Sequence, residues 1–295
     1  MGNLFRSTQP LRFGHCDLTG TVYLSQYFDM INSTVEDWFE QGLALPFDAF
    51  HLQHGYGNPI VSTRCDFLHP CRYGEKMTIE LAVANLGRSS IELRIAGKVG
   101  GEERIVASHT TAMISMESFR SIAIPDDLRA KMERYAIDPA GNPTPRAGGR
   151  VEGAPARSFR TRQPIRYSHC DPSAIVYFPR FFDLFNNVLE DWFAQELGSP
   201  WRNDFMGSRN LRLPTVGIAC QFSRGCHLGD ILELDLRVTR IGRSSMQLAL
   251  SGRVGDEESM HVDWTLCVVS SGTFRAVAIP DDIRARMQPF LIRGA

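Results

Sequence analysis

No stretch of this 295-residue chain approaches the ~20 consecutive apolar residues that a membrane-crossing helix needs, which argues against a membrane partner. The opening Met1-Gly2-Asn3-Leu4-Phe5-Arg6-Ser7 lacks the apolar core of a signal peptide, and Arg6 stands where a myristoylation signal wants Ser or Thr. Charge of one sign is also missing: the formal net charge is -1, without the basic excess that a nucleic-acid partner usually requires. Seven cysteines are present, yet no CxxC occurs and no His stands at zinc-finger spacing, so no metal is expected. Small, mostly buried thiols of a reducing compartment are the expectation, and the cytoplasm is the address. What remains is 43% apolar and 22% charged, the balance of a soluble globular protein with room for two domains.

The chain carries the same text twice. Gln9-Pro10-Leu11-Arg12-Phe13-Gly14-His15-Cys16-Asp17 returns as Gln163-Pro164-Ile165-Arg166-Tyr167-Ser168-His169-Cys170-Asp171. Glu36-Asp37-Trp38-Phe39 returns as Glu190-Asp191-Trp192-Phe193, and Gly87-Arg88-Ser89-Ser90 as Gly242-Arg243-Ser244-Ser245. Ile124-Pro125-Asp126-Asp127 returns as Ile279-Pro280-Asp281-Asp282. An offset of 154, rising to 155 in the later blocks, is too long for a solenoid unit and fits a duplicated domain. A residue kept by both copies has survived two histories.

Between the copies, residues 136–157 are rich in Pro, Gly, Ala and Arg, which is linker composition. The expected organisation is a first domain over 1–135 and a second over 158–295. Fully extended, such a linker reaches about 65 Å, enough to let the copies dock in almost any orientation.

Each copy opens with a strand-like run ending at His-Cys-Asp, followed by a turn and then a helical pattern. Phe28, Ile31, Val35 and Phe39 fall at helical spacing, repeated by Phe182, Phe185, Leu189 and Phe193. Tyr27, Thr34 and Trp38 widen the arc, which predicts a helix wrapped by other structure. Ser25 is placed to cap the first helix, Pro179 to open the second, and Gly42 and Gly198 to end them. The period then becomes two: Met77, Ile79, Leu81 and Val83 alternate with polar or small residues, as do Leu232, Leu234, Leu236 and Val238. A strand, a long apolar helix and several long antiparallel strands make an α+β domain, a single sheet curled around one helix.

These residues resemble the hotdog-fold acyl-CoA thioesterases, nearest to the 4-hydroxybenzoyl-CoA thioesterase branch. The resemblance rests on the Arg-Phe/Tyr-x-x-Cys-Asp stretch, the small-residue turn, the aromatic helix and the long strands. Asp171-Pro172-Ser173-Ala174-Ile175-Val176-Tyr177-Phe178-Pro179 and Gly198-Ser199-Pro200-Trp201-Arg202 match that branch closely. Both halves are covered, so the chain resembles a tandem, or double, hotdog. The resemblance implies hydrolysis of an acyl-CoA thioester, no separate cofactor (coenzyme A belonging to the substrate), and sites shared between the paired halves. It also implies a homodimer of such chains, which nothing in the residues demands.

Thioester hydrolysis needs a group that delivers water or attacks the carbonyl, and donors that hold the oxyanion. A carboxylate serves the first as base or nucleophile, and backbone amides at a helix start serve the second. Asp17 and Asp171 stand just ahead of the helices; in the resembled branch that aspartate is catalytic, and the amide seven residues on, here Leu24 and Phe178, polarises the carbonyl. A turn or capping aspartate is the plainer alternative. His15 and His169 lie two residues earlier, on the aspartate's strand face if the run is extended, to orient it, bind substrate or simply pack. Glu36 and Glu190 are rival carboxylates on the helix, because a second hotdog branch draws its carboxylate from there; hydrogen bonding at the helix edge is the alternative. Arg88, Ser89 and Ser90, with Arg243, Ser244 and Ser245, occupy a turn whose basic residues contact coenzyme A phosphates in the resembled branch. That branch has a denser basic cluster, and a solvated turn arginine is the other reading. The Ile-Pro-Asp-Asp repeat reads as a strand exit and helix cap. A hotdog hydratase or dehydratase and a non-catalytic acyl-CoA binder are the rival functions, and the residues leave open an aromatic or aliphatic acyl group and coenzyme A or a carrier protein.

Overall fold

The structure, a computed structural model, describes residues 3–138 and 157–292. The chain divides into two compact units, Met1–Arg146 and Ala147–Ala295. Most of the expected linker lies outside the described residues. Ala136, at its start, bridges to Val83, and Ile137 donates to the Val83 carbonyl at 2.9 Å.

The first unit runs β1 (Phe5–Pro10), α1 (Leu24–Asp37), β2 (Tyr56–Gly57), β3 (Ile60–Phe67), β4 (Lys76–Leu86), β5 (Ser90–Val99), β6 (Glu102–Ala112), β7 (Ile114–Ser115) and α2 (Asp126–Glu133). Its main sheet is antiparallel in the order β1-β4-β5-β6-β3. The alternating residues behave as their period dictates. Met77, Ile79, Leu81 and Val83 are buried on one face with Ile91, Leu93 and Ile95 of the next strand. Against that face lies α1, whose Phe28 ring meets Phe67 of β3 and stacks on His109 of β6. Tyr27, Phe28, Ile31, Thr34, Val35, Trp38 and Phe39 are all buried, so the wide apolar arc is covered by a curled sheet.

The second unit repeats the plan: β8 (Phe159–Pro164), α3 (Arg180–Gln195), β9 (Leu211–Arg212), β10 (Thr215–Phe222), β11 (Ile231–Ile241), β12 (Ser245–Val254), β13 (Glu257–Cys267), β14 (Val269–Ser270) and α4 (Asp281–Met287). Its sheet order, β8-β11-β12-β13-β10, is the same topology. Phe182, Phe185, Leu189 and Phe193 of α3 are buried like their counterparts. Each unit is therefore a hotdog domain, one antiparallel sheet around one apolar helix.

Two local expectations change. The opening strands end at Pro10 and Pro164, and a short 3₁₀ turn (Phe13–His15; Tyr167–His169) follows, so the histidines do not share a strand face with the aspartates. The chain stays extended past each proline, through Arg12 and Arg166, and the 3₁₀ turn is what breaks the run. Ser25 caps nothing: Tyr23 is the cap residue, and the Ser25 hydroxyl is buried within the first helical turn without a partner. The first helix continues past Asp37 into a π-turn over Trp38–Gly42, with Gly42 its last residue. There a Cβ on Gly42 would lie 2.6 Å from the Trp38 ring. Gly198 follows the end of α3 with φ +61°, the left-handed geometry expected of a helix stop.

Candidate active site

Both copies build the same hairpin after the 3₁₀ turn. In the first, Cys16 bridges Val22, the Asp17 amide donates to the Thr21 carbonyl at 2.9 Å, and the Gly20 amide donates back to the Asp17 carbonyl at 3.0 Å. In the second, Cys170 bridges Val176, Asp171 donates to Ile175 at 3.0 Å, and Ala174 donates to Asp171 at 3.0 Å. The residue that closes each turn is left-handed, Gly20 at φ +75° and Ala174 at +59°. Glycine meets that demand without steric cost, whereas alanine carries Cβ strain.

Inside this hairpin the aspartate side chain folds back on its own turn. The Thr19 amide donates to Asp17 Oδ1 at 2.7 Å, and the Ser173 amide donates to Asp171 Oδ1 at 2.8 Å. Asp17 is exposed and Asp171 half-buried. This is an Asx turn, so the plain role of the residue is present. One carboxylate oxygen satisfies it, and a carboxylate has further acceptor capacity on the other.

The hairpin also returns the chain to the helix start. The Tyr23 amide donates to the His15 carbonyl, and the Tyr177 amide to the His169 carbonyl, both at 2.9 Å. Leu24 then opens α1, whose start has no side-chain cap; the Gln26 amide already donates to the Tyr23 carbonyl at 3.0 Å, so only the amides ahead of it lack a helical acceptor. In the second copy Pro179 is the cap residue and Phe178 precedes it. Aspartate and helix start are thus joined by one short, doubly pinned hairpin. Positive helix-dipole potential and a carboxylate stand at the same end of the helix.

The histidines act on the backbone of this turn. Nδ1 of His15 accepts the Arg12 amide and Nδ1 of His169 the Arg166 amide, each at 3.1 Å. That bond fixes the tautomer with the proton on Nε2. Burial, then the charges of Arg166 and Arg180, lowers the pKa of His169, with Asp183 opposing, so it favours the neutral ring. Burial, then the adjacent aspartate, raises the thiols of Cys16 and Cys170, which disfavours a thiolate nucleophile beside either carboxylate.

Glu36 accepts a hydrogen bond from Asn32 one turn earlier at 2.7 Å, and Glu190 accepts one from Asn186 in the same way. Burial is the main cause that raises both carboxyls; Asp29 and Asp37 add to it at Glu36, and Asp191 at Glu190. The helix-edge hydrogen bond expected of them is present in both copies.

The Gly-Arg-Ser-Ser turns join β4 to β5 and β11 to β12. A Cβ on Gly87 would crowd Ser90 Oγ, and one on Gly242 would lie 2.8 Å from Ser245 Oγ, so glycine leaves both serine hydroxyls where they stand. Arg88 and Arg243 are exposed and form no ion pair among the described residues. Within a unit this turn and the aspartate are not brought together. The Thr21–Arg72 bridge puts the aspartate hairpin beside the start of β4, while Arg88 follows its end. Eleven residues of strand separate them, about 35 Å.

Sequence reasoning missed the pair that fastens these turns. Arg129 of α2 donates to the carbonyls of Gly87 and Leu86, and Arg284 of α4 to those of Gly242 and Arg243. The available signal was the arginine kept after Asp-Asp in both copies, Asp126-Asp127-Leu128-Arg129 and Asp281-Asp282-Ile283-Arg284.

No helix among the described residues is long and apolar enough to cross a membrane. The profile of the thioesterase-like superfamily matches the chain twice, over residues 11–132 and 165–287. A 1,4-dihydroxy-2-naphthoyl-CoA hydrolase of Acaryochloris marina is 23% identical over 133 residues, 44% of this chain and 96% of that protein. A 4-hydroxybenzoyl-CoA thioesterase of a Pseudomonas species is 27% identical over 127 residues, 40% of this chain and 90% of that protein. A solved structure from Lactobacillus plantarum, assigned as an oleoyl thioesterase, superposes with a TM-score of 0.73 at 16% identity, covering 90% of this chain and 96% of that one. At that identity the likeness is one of fold.

Proposed function

Because the chain belongs to the thioesterase-like superfamily, in two tandem hotdog domains, we propose that it hydrolyses acyl-CoA thioesters with Asp17 and Asp171 as the reacting carboxylates. The observation that carries this reading is the hairpin both copies retain. It presents an aspartate with one oxygen held by the turn, seven residues before Leu24 or Phe178 on the approach to a helix that has no side-chain cap.

Two routes use the same groups. As a base, the carboxylate takes a proton from water while the water oxygen adds to the thioester carbonyl. As a nucleophile, it adds to that carbonyl itself, and water later cleaves the mixed anhydride. In both, the backbone amides of Leu24 and Phe178 hold the oxyanion as negative charge develops. The carbon–sulfur bond then breaks, the thiolate of coenzyme A leaves and takes up a proton, and the free acid departs. Arg88 and Arg243, with the hydroxyls of their turns, bind the phosphates of the coenzyme A portion.

The named relatives both act on aryl-CoA thioesters, which makes aromatic acyl groups the first to test and favours coenzyme A over a carrier protein. The experiment is a panel of aryl- and alkyl-CoA substrates assayed for free thiol. Release dependent on the enzyme supports the reading. Tight acyl-CoA binding with no thiol release assigns the chain to binding instead.

A further inference from the structure

The two Gly-Arg-Ser-Ser turns are fastened from the same direction by the C-terminal segment of their own copy. Every carbonyl of the first turn has an internal donor. Arg129 serves Leu86 and Gly87, the Ile124 amide serves Arg88 at 2.9 Å, the Met113 amide serves Ser89 at 2.7 Å, and the Gly87 amide serves Ser90 at 2.9 Å. The second copy repeats this. Arg284 donates to Gly242 at 2.6 Å and to Arg243 at 3.1 Å, while the amides of Ile279, Val268 and Gly242 serve Arg243, Ser244 and Ser245. The same segment is anchored again at its far end, where Ile137 donates to Val83 and Ile292 to Val238. Those anchor points sit at matching β-bulges, Val83/Asn85 and Val238/Arg240.

Electrostatics gives this arrangement a consequence. A turn with free carbonyl oxygens repels a phosphate, because those lone pairs carry partial negative charge. Here each such oxygen is already engaged, and a half-buried guanidinium stands behind the exposed one. The surface left to a ligand is the turn arginine and the serine hydroxyls, backed by a second positive charge. Holding the turn rigid also lowers the entropic cost of engaging an anion there.

We infer that Arg129 and Arg284 are positioning residues that set the Gly-Arg-Ser-Ser turns for the phosphate-bearing part of the substrate. The inference rests on the reading that Arg88 and Arg243 contact coenzyme A phosphates, and deepens it. Neither Arg129 nor Arg284 is assigned a contact with substrate.

The test compares an acyl-CoA with the same acyl group on N-acetylcysteamine, a thioester that lacks phosphates, and reads the ratio of the two kcat/KM values. In Arg129→Gln with Arg284→Gln, the preference for acyl-CoA should fall about tenfold, mostly through KM, the size expected when charge-assisted hydrogen bonds to phosphate are misplaced. Arg129→Lys with Arg284→Lys, which keeps the charge but not the two-carbonyl span, should recover part of that preference and guards against a glutamine variant that fails to fold. Equal losses on both substrates would make the two arginines merely structural and overturn the inference. Arg88→Ala with Arg243→Ala separates the two levels. If it lowers the preference while the Arg129 and Arg284 variants do not, only the positioning role is wrong. If it leaves the preference intact, the phosphate contact itself is wrong and the inference falls with it.

Discussion

The amide of Ser173 donates to Oδ1 of Asp171 at 2.8 Å, and the same bond, Thr19 to Asp17 at 2.7 Å, recurs in the other copy. An asparagine keeps that Oδ1 acceptor, so Asp→Asn at either site preserves the turn and removes only the acid–base and nucleophilic chemistry. The two sites are not equal in surroundings. Pro172 stiffens the turn behind Asp171, where copy one has an exposed Leu18. Asp171→Asn should therefore remove the larger share of thiol-releasing activity and Asp17→Asn the smaller. Steady-state rates of the two single variants decide the order, and an equal loss, or a larger one at Asp17, refutes it.

Ala174 holds φ +59° at the position where Gly20 sits at +75°. Relief of the Cβ strain exceeds the added chain entropy, so Ala174→Gly should stabilise the second domain by about 0.5–1 kcal/mol. Denaturant unfolding of the variant checks this, and a loss of stability contradicts the strain assigned to the turn.

His109 is fully buried against Phe28, and burial pushes its pKa down to about 3 from an ordinary 6.5. The unfolded chain binds this proton below 6.5, while the folded chain refuses it until about 3. The group thus leaves stability untouched above 6.5 and lowers it as pH falls from 6.5 toward 3, by at most about 1.4 kcal/mol per pH unit. Unfolding measured at pH 7 and pH 5 should show a smaller acid loss in His109→Phe than in the wild type. An identical loss would place the acid sensitivity elsewhere.

Glu36 and Glu190 are each held by an asparagine one turn back, a bond that glutamine also accepts. Glu36→Gln with Glu190→Gln should keep most of the turnover. A loss as deep as that of the aspartate double variant would move the chemistry to the helix.

The wide aromatic arc of the two central helices was legible because burial follows helical spacing from Phe28 to Phe39 without interruption. The strands were legible for the same reason at period two. What failed was local. An extended reading through His15 fails because the chain turns at Phe13–His15, where His15 Nδ1 accepts the Arg12 amide, a bond no strand period signals. Ser25 met the composition rule for a cap, but the helix starts one residue before it. The carboxylates and turn arginines were visible as retained types, whereas their separation along β4 depends on the strand's length and register. The bond from Arg129 to Gly87 joins residues 42 positions apart, beyond the reach of any local pattern.

The central claim, that the duplicated aspartates do the chemistry, is tested most directly by thiol release from an aryl-CoA by the wild type and by Asp17→Asn with Asp171→Asn. The account predicts a folded double variant, melting close to the wild type, with turnover lowered about 100-fold or more. A folded double variant that releases thiol at the wild-type rate would contradict it.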